Sequence, residues 1–147
     1  MRAGDSMILE DGMVLEALSP NAQMLQKRLS ENNLSLVLRV RYGDVKMLFS
    51  GDIEMLAEKQ LYVSDADVEA DIYKVAHHGA DTSSAYPFVK RVQPKFSVIS
   101  AGDYFASGHP SPQTVTTLKR MNTEIYNTYT SGNVTFYITK SGVRYVR

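Results

Sequence analysis

The sequence predicts an α/β domain in which a mixed β-sheet is covered by helices. In the middle of the chain, short apolar strands alternate with helical patterns, and strand hairpins are predicted near both ends. The composition is that of one globular domain, with 147 residues of which 44% are hydrophobic and 22% charged. Alternation of strands and helices favours parallel pairing, whereas hairpins add antiparallel strands. A mixed sheet with covering helices satisfies both patterns.

Two hairpins are predicted in the first third of the chain. Residues 7–10 and 13–18 read as strands around Asp11-Gly12, where a positive backbone φ is tolerated. The polar stretch 19–33 contains at most one short helix, around Met24. The second hairpin is the clearest local pattern, because apolar residues occupy alternate positions of its first strand, as expected when one face is buried. These residues are Leu34, Leu36, Leu38, Val40 and Tyr42.

The rest of the chain continues as strands, turns and helices. A returning strand, 45–49, ends at Ser50-Gly51-Asp52, and a helical period begins at Ile53. Further helices are predicted to begin near Pro87 and at Ser111-Pro112, since proline is favoured in a first helical turn. The remaining predicted strands are 72–76, 96–99, 124–128, 134–138 and 143–146.

Composition excludes several classes of protein. Lys and Arg together number 16, as do Asp and Glu, so bulk electrostatic attraction does not select a partner. There are no cysteines, which rules out disulfides, thiolate zinc sites and a cysteine nucleophile, and leaves the compartment open. No apolar run approaches the roughly 20 residues that a membrane-spanning helix needs. We therefore expect no membrane segment in this chain.

Polar residues follow three of the predicted strands. Asp52 follows the second strand of the second hairpin, the pair His77-His78 follows strand 72–76, and His109 lies after strand 96–99. Sites in α/β sheets favour the carboxyl ends of strands, so these side chains are candidates for one site. Asp52 has two open interpretations, a helix N-cap or a metal ligand.

The histidine pair is the least common of these features. On an extended chain neighbouring side chains point to opposite sides, so one ring could face a metal and the other a substrate. A hydrogen-bonded structural role is the alternative. Ser83 and Ser84 either lead into the following helix or help to hold an anion such as a phosphate. For His109, a substrate role competes with a simple turn role beside Gly108 and Pro110.

Five segments in order carry a resemblance to a known family. They are residues 33–38, 48–54, 73–79, 98–100 and 108–110, with the steps Gly-Asp, His-His-Gly and Gly-His-Pro. This set resembles the carboxy-terminal half of a metallo-β-lactamase-fold hydrolase. It is most similar to the hydrolase domain of bacterial competence DNA-internalisation proteins of the ComEC type. The resemblance extends over nearly the whole chain.

The resemblance implies half of an αββα sandwich with a metal centre at one edge of the sheets. It assigns Asp52 and His78 as metal ligands, with His77 as the alternative histidine, and Zn²⁺ or Mn²⁺ as the ion, two in the intact domain. His77 and His109 would then face the substrate as catalytic groups. Two departures concern substrate contacts: Ala80 stands where the family often has serine, and 103–107 lacks the asparagine common before Gly-His-Pro.

A larger departure concerns the main metal-binding motif of the family, His-x-His-x-Asp-His, because no histidine precedes His77. Residues 1–147 are therefore interpreted as the carboxy-terminal portion of a single domain whose first half is absent from the chain. On its own the chain is expected to bind metal weakly and to have little or no activity. The amino-terminal half, or a second copy, is the expected protein partner.

The implied function is that of a metal-dependent phosphodiesterase or nuclease linked to DNA uptake, with DNA or another phosphodiester as substrate. Two alternatives are a non-catalytic binding or structural module of a DNA-uptake assembly, and a hydrolase of another ester. The resemblance also implies a membrane-associated parent protein, with this domain outside the cytoplasm.

Overall fold

The computed structural model describes residues 1–27, 29–103 and 107–146. Within them, seven strands form one sheet in which the spatial order equals the chain order. The first four strands pair antiparallel and the last four, beginning with the fourth, pair parallel. This confirms the predicted mixed α/β class. The strands are β1 (Ser6–Ile8), β2 (Val14–Ser19), β3 (Val37–Tyr42), β4 (Val45–Phe49), β5 (Ile72–Lys74), β6 (Phe96–Ile99) and β7 (Glu124–Asn127).

Helices pack against one face of this sheet and enclose the main core. Buried side chains of the sheet, among them Leu48, Tyr73 and Ile99, meet buried side chains of the helices, such as Phe88 and Leu118. The helices are α1 (Ala22–Gln26), α2 (Met55–Val63), α3 (Tyr86–Val92), α4 (Pro112–Arg120) and α5 (Thr128–Ser131), with 3₁₀ turns at Asn32–Leu34 and Ala76–Gly79. As predicted, α4 begins with Ser111 as its N-cap, whose hydroxyl accepts the Thr114 N–H at 3.1 Å.

A separate hairpin, β8 (Phe136–Thr139) and β9 (Gly142–Tyr145), covers part of the opposite face. Its Phe136, Ile138 and Val143 side chains pack against a second core cluster of the sheet. The hairpin is tied to the β3–β4 turn, because the Asp44 N–H donates to the Lys140 carbonyl at 2.7 Å. Gly43 at this turn has φ +60°, and a Cβ there would overlap the Lys140 backbone.

The predicted strand 34–42 differs from the observed one in extent and in burial. β3 begins only at Val37, since Leu34 belongs to a 3₁₀ turn. Leu36 lies before the strand and is exposed. The expectation of one buried face is wrong: Val37 packs toward the helices, while Val40 packs toward the hairpin. A face left open to water along all of β3 is therefore also not observed.

Cross-strand pairing shows what the hairpin face contains, since directly paired residues lie on the same face of a sheet. Two rows of paired residues cross the sheet. One row consists of Met7, Leu15, Val40, Met47, Ile72, Phe96 and Glu124, and the other of Ala17, Leu38, Phe49, Lys74, Val98 and Tyr126. In these rows Phe49 and Met7 remain exposed, at 43% and 52%. The hairpin therefore leaves apolar surface of this face open to solvent.

A buried carboxyl connects α2 to the beginning of α3. Glu58 is fully buried, and its two oxygens accept the backbone N–H groups of Ser84, at 2.5 Å, and Ala85, at 2.9 Å. Ala85 is the N-cap of α3 and makes no side-chain cap bond of its own, so Glu58 satisfies the helix start from a neighbouring helix. Burial raises the pKa of Glu58 to about 7, although both hydrogen bonds favour the charged form.

The raised pKa of Glu58 predicts that the stability of the folded state falls as pH rises. Because its folded pKa lies above the usual value of 4.5, the folded state holds this proton more tightly than the unfolded chain. The free energy of unfolding should therefore decrease between about pH 4.5 and about pH 7, by about 3 kcal/mol, and level off above. Glu58→Gln should remove this slope. Urea unfolding of both proteins across that range measures it.

The matched control is Glu10→Gln, which changes an exposed carboxyl and should keep the wild-type slope. Glu58→Gln should also lower stability at acidic pH, because its amide nitrogen cannot accept the second backbone N–H. Equal slopes in the Glu58→Gln variant and the wild type would contradict the assignment.

Candidate functional site

The site lies where three parallel strands end. Asp52 follows β4, His77 and His78 follow β5, and His109 lies in the connection from β6 to α4. Since these strands are parallel, their carboxyl ends share one edge of the sheet. The structure brings all four predicted side chains together. The centroids of the His77 and His109 rings are 5.9 Å apart, and His78 Nε2 lies 3.8 Å from Asp52 Oδ1.

The backbone at the two histidines is left-handed. The φ angles of His77, His78 and Gly79 are +47°, +55° and +80°. The extended conformation expected here is therefore wrong, and the rings do not point to opposite sides of a strand. The His77 N–H donates to the Gly51 carbonyl at 3.0 Å, and the Gly79 carbonyl accepts the Ser111 N–H at 2.8 Å. These bonds attach the turn to the loops after β4 and β6.

The orientation of His78 defines which nitrogen is free. Its Nδ1 lies 2.6 Å from the Ser100 carbonyl oxygen, which can only accept a hydrogen bond, so Nδ1 carries the proton in the neutral ring. Nε2 then presents a lone pair toward the Asp52 carboxylate. Both side chains are nearly half exposed. Two electron-rich atoms thus face each other at a solvent-accessible edge.

The capping interpretation of Asp52 is not what the structure shows. The N-cap of α2 is Glu54, and the side-chain oxygen of Asn33 accepts the Ala57 N–H at 3.0 Å at the start of this helix. The Asp52 backbone N–H donates to the Ser35 hydroxyl at 3.2 Å. Asp52 is therefore held at its backbone, while its carboxylate faces the histidine.

His77 faces a different carboxylate, one that sequence reasoning missed. Its Nδ1 is buried, has no hydrogen-bond partner in the described part of the chain, and lies 3.9 Å from Glu54 Oε1. The other Glu54 oxygen accepts the Asn33 side-chain N–H at 2.7 Å. The available signal was the position of Glu54 two residues after Asp52, at the predicted helix start.

His109 lies against a small recess. Its Nδ1 is buried and has no hydrogen-bond partner among the residues that the structure describes, and its backbone N–H donates to the Ser107 hydroxyl at 3.2 Å. A recess of about 250 Å³ adjoins it, lined by His78, Ala101, Gly102, Ser107 and His109. Residues 104–106 of the predicted loop, which carry part of the sequence departure noted before Gly-His-Pro, lie outside the described residues.

Ser83 and Ser84 are buried and bonded within the protein. The Ser83 hydroxyl donates to the carbonyls of Ala76 and Ala80, at 3.1 and 3.0 Å. The Ser84 hydroxyl shares a 3.3 Å hydrogen bond with the Tyr73 hydroxyl. Their proposed phosphate contact stays a prediction. What the structure shows is that they support the turn that carries the histidines.

Lys74 adds a cation beside the site that the sequence did not single out. It lies at the end of β5, opposite the helices, and its ammonium donates to the Val75 carbonyl at 2.8 Å. Burial lowers the pKa of Lys74, while the nearby Asp52 carboxylate opposes this shift. The ammonium therefore offsets part of the negative charge at Asp52.

The fit of these residues to a metal ion is partial. Asp52 and His78 are a carboxylate and an imidazole close enough to share one ion, and both types bind Zn²⁺ and Mn²⁺. Across residues 1–27, 29–103 and 107–146, no group of three or more potential ligands is arranged around one point. A catalytic zinc usually has three protein ligands. The described residues thus supply two candidate metal ligands, fewer than the three that a catalytic zinc usually has.

Most of the chain is similar in sequence to segments of known proteins. It is 30% identical over 136 residues to ComE operon protein 3 of Bacillus subtilis, a match covering 92% of this chain and 17% of that protein. It is 29% identical over 135 residues to competence protein ComA of Neisseria gonorrhoeae, with 91% and 19% covered. Recombination protein 2 of Haemophilus influenzae is 28% identical over 123 residues, with 84% and 15% covered.

This chain is similar to one segment of competence proteins. It spans less than a fifth of the length of each of these relatives. No protein-family model matches it. Among the helices that the structure describes, none has the length and apolarity required to cross a bilayer.

Gly79 should be essential for the geometry of the site. A Cβ at Gly79 would lie 2.8 Å from Pro110 Cβ, and φ is +80°. Gly79→Ala should therefore lower the free energy of unfolding by about 1–3 kcal/mol. Gly102→Ala is the matched control, since no atom of the described residues lies within 4 Å of its added Cβ and its φ is not positive. Urea unfolding measures both, and equal stability of the two variants would contradict the packing argument.

Proposed function

We propose that this chain carries one side of a metal-dependent hydrolase centre and that it acts on a phosphodiester in DNA uptake. The observation that carries the proposal is the pairing of Asp52 with His78, whose free nitrogen faces the carboxylate at 3.8 Å. The competence relatives support the DNA-uptake role and suggest DNA as the phosphodiester.

The electrostatics of the pair favour a cation. A carboxylate oxygen and an imidazole lone pair repel each other unless a proton or a metal ion lies between them. The Ser100 carbonyl fixes the proton on the other nitrogen of His78, which is the arrangement commonly seen behind metal-bound histidines. The side chains are exposed at the edge, so an ion can reach them. We expect Zn²⁺ or Mn²⁺ to bind here, with further ligands supplied from outside the described residues.

Other residues of the chain have roles on the substrate side. When bound, such an ion would polarise a phosphoryl oxygen and make an attached water more acidic. His77 and His109, whose rings are neighbours, would stabilise charge on the phosphoryl group or protonate the leaving oxygen. Ser83 and Ser84, by their internal hydrogen bonds, would orient the turn that carries His77 and His78.

The open part of the hairpin face suggests a protein partner. Phe49 and Met7 expose apolar surface in the two rows that cross this face, and Lys74 shares a row with Phe49. A second layer packed on this face would bury that surface and could bring further metal ligands to the same edge. We propose that another part of a longer protein forms this layer, and that a second copy of the chain substitutes for it when the chain is alone.

Metal titration tests the site directly. By isothermal calorimetry the isolated chain should bind one Zn²⁺ or Mn²⁺ weakly, because the described residues bring only Asp52 and His78 together as donors. Asp52→Asn and His78→Asn should each weaken binding about tenfold or more. Asparagine suits position 78 because it tolerates a positive φ. The same samples should show little or no hydrolysis of bis-p-nitrophenyl phosphate.

Glu10→Gln, which changes an exposed carboxylate in the β1–β2 turn at the opposite edge of the sheet, is the matched control and should bind as the wild type does. Tight binding of two ions by the isolated chain would contradict the partial site. Heats that do not change in the Asp52→Asn variant would contradict the site itself and favour a non-catalytic binding module.

Light scattering tests the exposed face. The isolated chain should self-associate as its concentration rises, because water-exposed apolar area is buried on association. Phe49→Ser should reduce this association. Val63→Ser removes a side chain of similar apolar character that is 66% exposed at the end of α2, and it should leave association unchanged. A monomer at all concentrations would contradict the proposed second layer.

A further inference from the structure

Glu54 and His77 form a second carboxylate–imidazole pair beside Asp52 and His78, and the two pairs differ in kind. The Asp52–His78 pair is exposed, whereas His77 Nδ1 is fully buried and accepts or donates no hydrogen bond within residues 1–27, 29–103 and 107–146. A buried polar nitrogen without a partner is costly and requires an explanation. Glu54 Oε1, at 3.9 Å, is the anionic group in reach of that nitrogen.

Hydrogen bonds from neighbouring residues hold the Glu54 side chain in place. The Glu54 carboxylate accepts an N–H of the Asn33 amide at 2.7 Å, and the Ser30 hydroxyl lies 3.4 Å from the same oxygen. Asn33 is itself buried, and its side-chain oxygen accepts the backbone N–H groups of Glu54 and Ala57. Asn33 therefore fixes both the start of α2 and the direction of the Glu54 carboxylate.

The histidine is equally constrained. Its left-handed backbone is held by the hydrogen bond from its N–H to the Gly51 carbonyl, and its carbonyl accepts the Ala80 N–H at 2.8 Å. A shift of about 1 Å would bring Nδ1 within hydrogen-bond distance of Glu54. Distances of this kind are often long before a site is filled.

We infer that Glu54 is a positioning residue that accepts the Nδ1–H of His77 and thereby leaves Nε2 as the free nitrogen of that ring. This inference deepens the proposed function, because it assigns what orients His77 in that site. The free nitrogen is the one that can exchange a proton or accept a hydrogen bond on the substrate side. Glu54 acts on the chemistry only through His77.

The tautomer of His77 provides the test. In chain labelled with ¹⁵N-histidine, NMR should show that the neutral ring of His77 carries its proton at Nδ1. In Glu54→Gln the side-chain oxygen still accepts from Asn33, so the amide nitrogen faces His77 and can only donate. The tautomer of His77 should therefore invert to protonated Nε2. Glu54→Asp, which keeps a carboxylate, should preserve the wild-type tautomer.

Two internal references keep the result interpretable. His78, held by the Ser100 carbonyl, should remain protonated at Nδ1 in every variant, which also verifies that the turn is folded. Glu31→Gln, an exposed carboxyl at the neighbouring 3₁₀ turn, should change neither histidine. A His77 tautomer that is the same in wild type and Glu54→Gln, with His78 unchanged, would overturn the inference. If the tautomer inverts but Zn²⁺ produces no heat, the metal site fails and the positioning role stands.

Discussion

The left-handed turn at His77, His78 and Gly79 is the constraint on which the site depends. Non-glycine residues in this conformation cost about 1–3 kcal/mol each, so the surrounding structure must hold them there. Backbone hydrogen bonds from the loops after β4 and β6 do this, and Gly79 allows Pro110 to pack against the turn. As a result, two adjacent imidazoles face two different carboxylates at one edge of the sheet.

The support for this turn extends into the core. Ser83 bonds to the carbonyls that flank the histidines, and the Ser84 hydroxyl meets Tyr73 beneath them. Glu58 then binds the backbone of Ser84 and Ala85 from α2, although its burial raises the pKa of its carboxyl to about 7. A buried carboxyl that costs stability at neutral pH is retained where it completes the start of α3 and fixes the segment next to the site.

The two faces of the sheet are buried to different extents. The helix face is a continuous core, whereas the opposite face is covered only in part by the β8–β9 hairpin. Apolar side chains at Phe49 and Met7 stay exposed on that second face, and the residues that the structure describes contain no group of three candidate metal ligands. The further layer proposed above would bury that surface and could complete the ligand set, which is why one partner is proposed for both.

The sequence by itself determined the mixed α/β class, most strand positions, the Ser111 cap and the coincidence of Asp52, His77, His78 and His109 at strand ends. These follow from local periodicity, turn chemistry and the rule that parallel strands end at one edge. Only the tertiary structure decided that His77 and His78 are left-handed, that Asp52 is not a cap, and that Glu54, Glu58 and Lys74 act near the site. Such features depend on hydrogen bonds and burial between residues far apart in sequence, as from Ser84 to Glu58, which are 26 positions apart, and local patterns do not encode them. β3 is the same case, since alternation alone assigns its Val37 face to solvent, whereas the tertiary structure buries Val37 in the core on the helix side of the sheet.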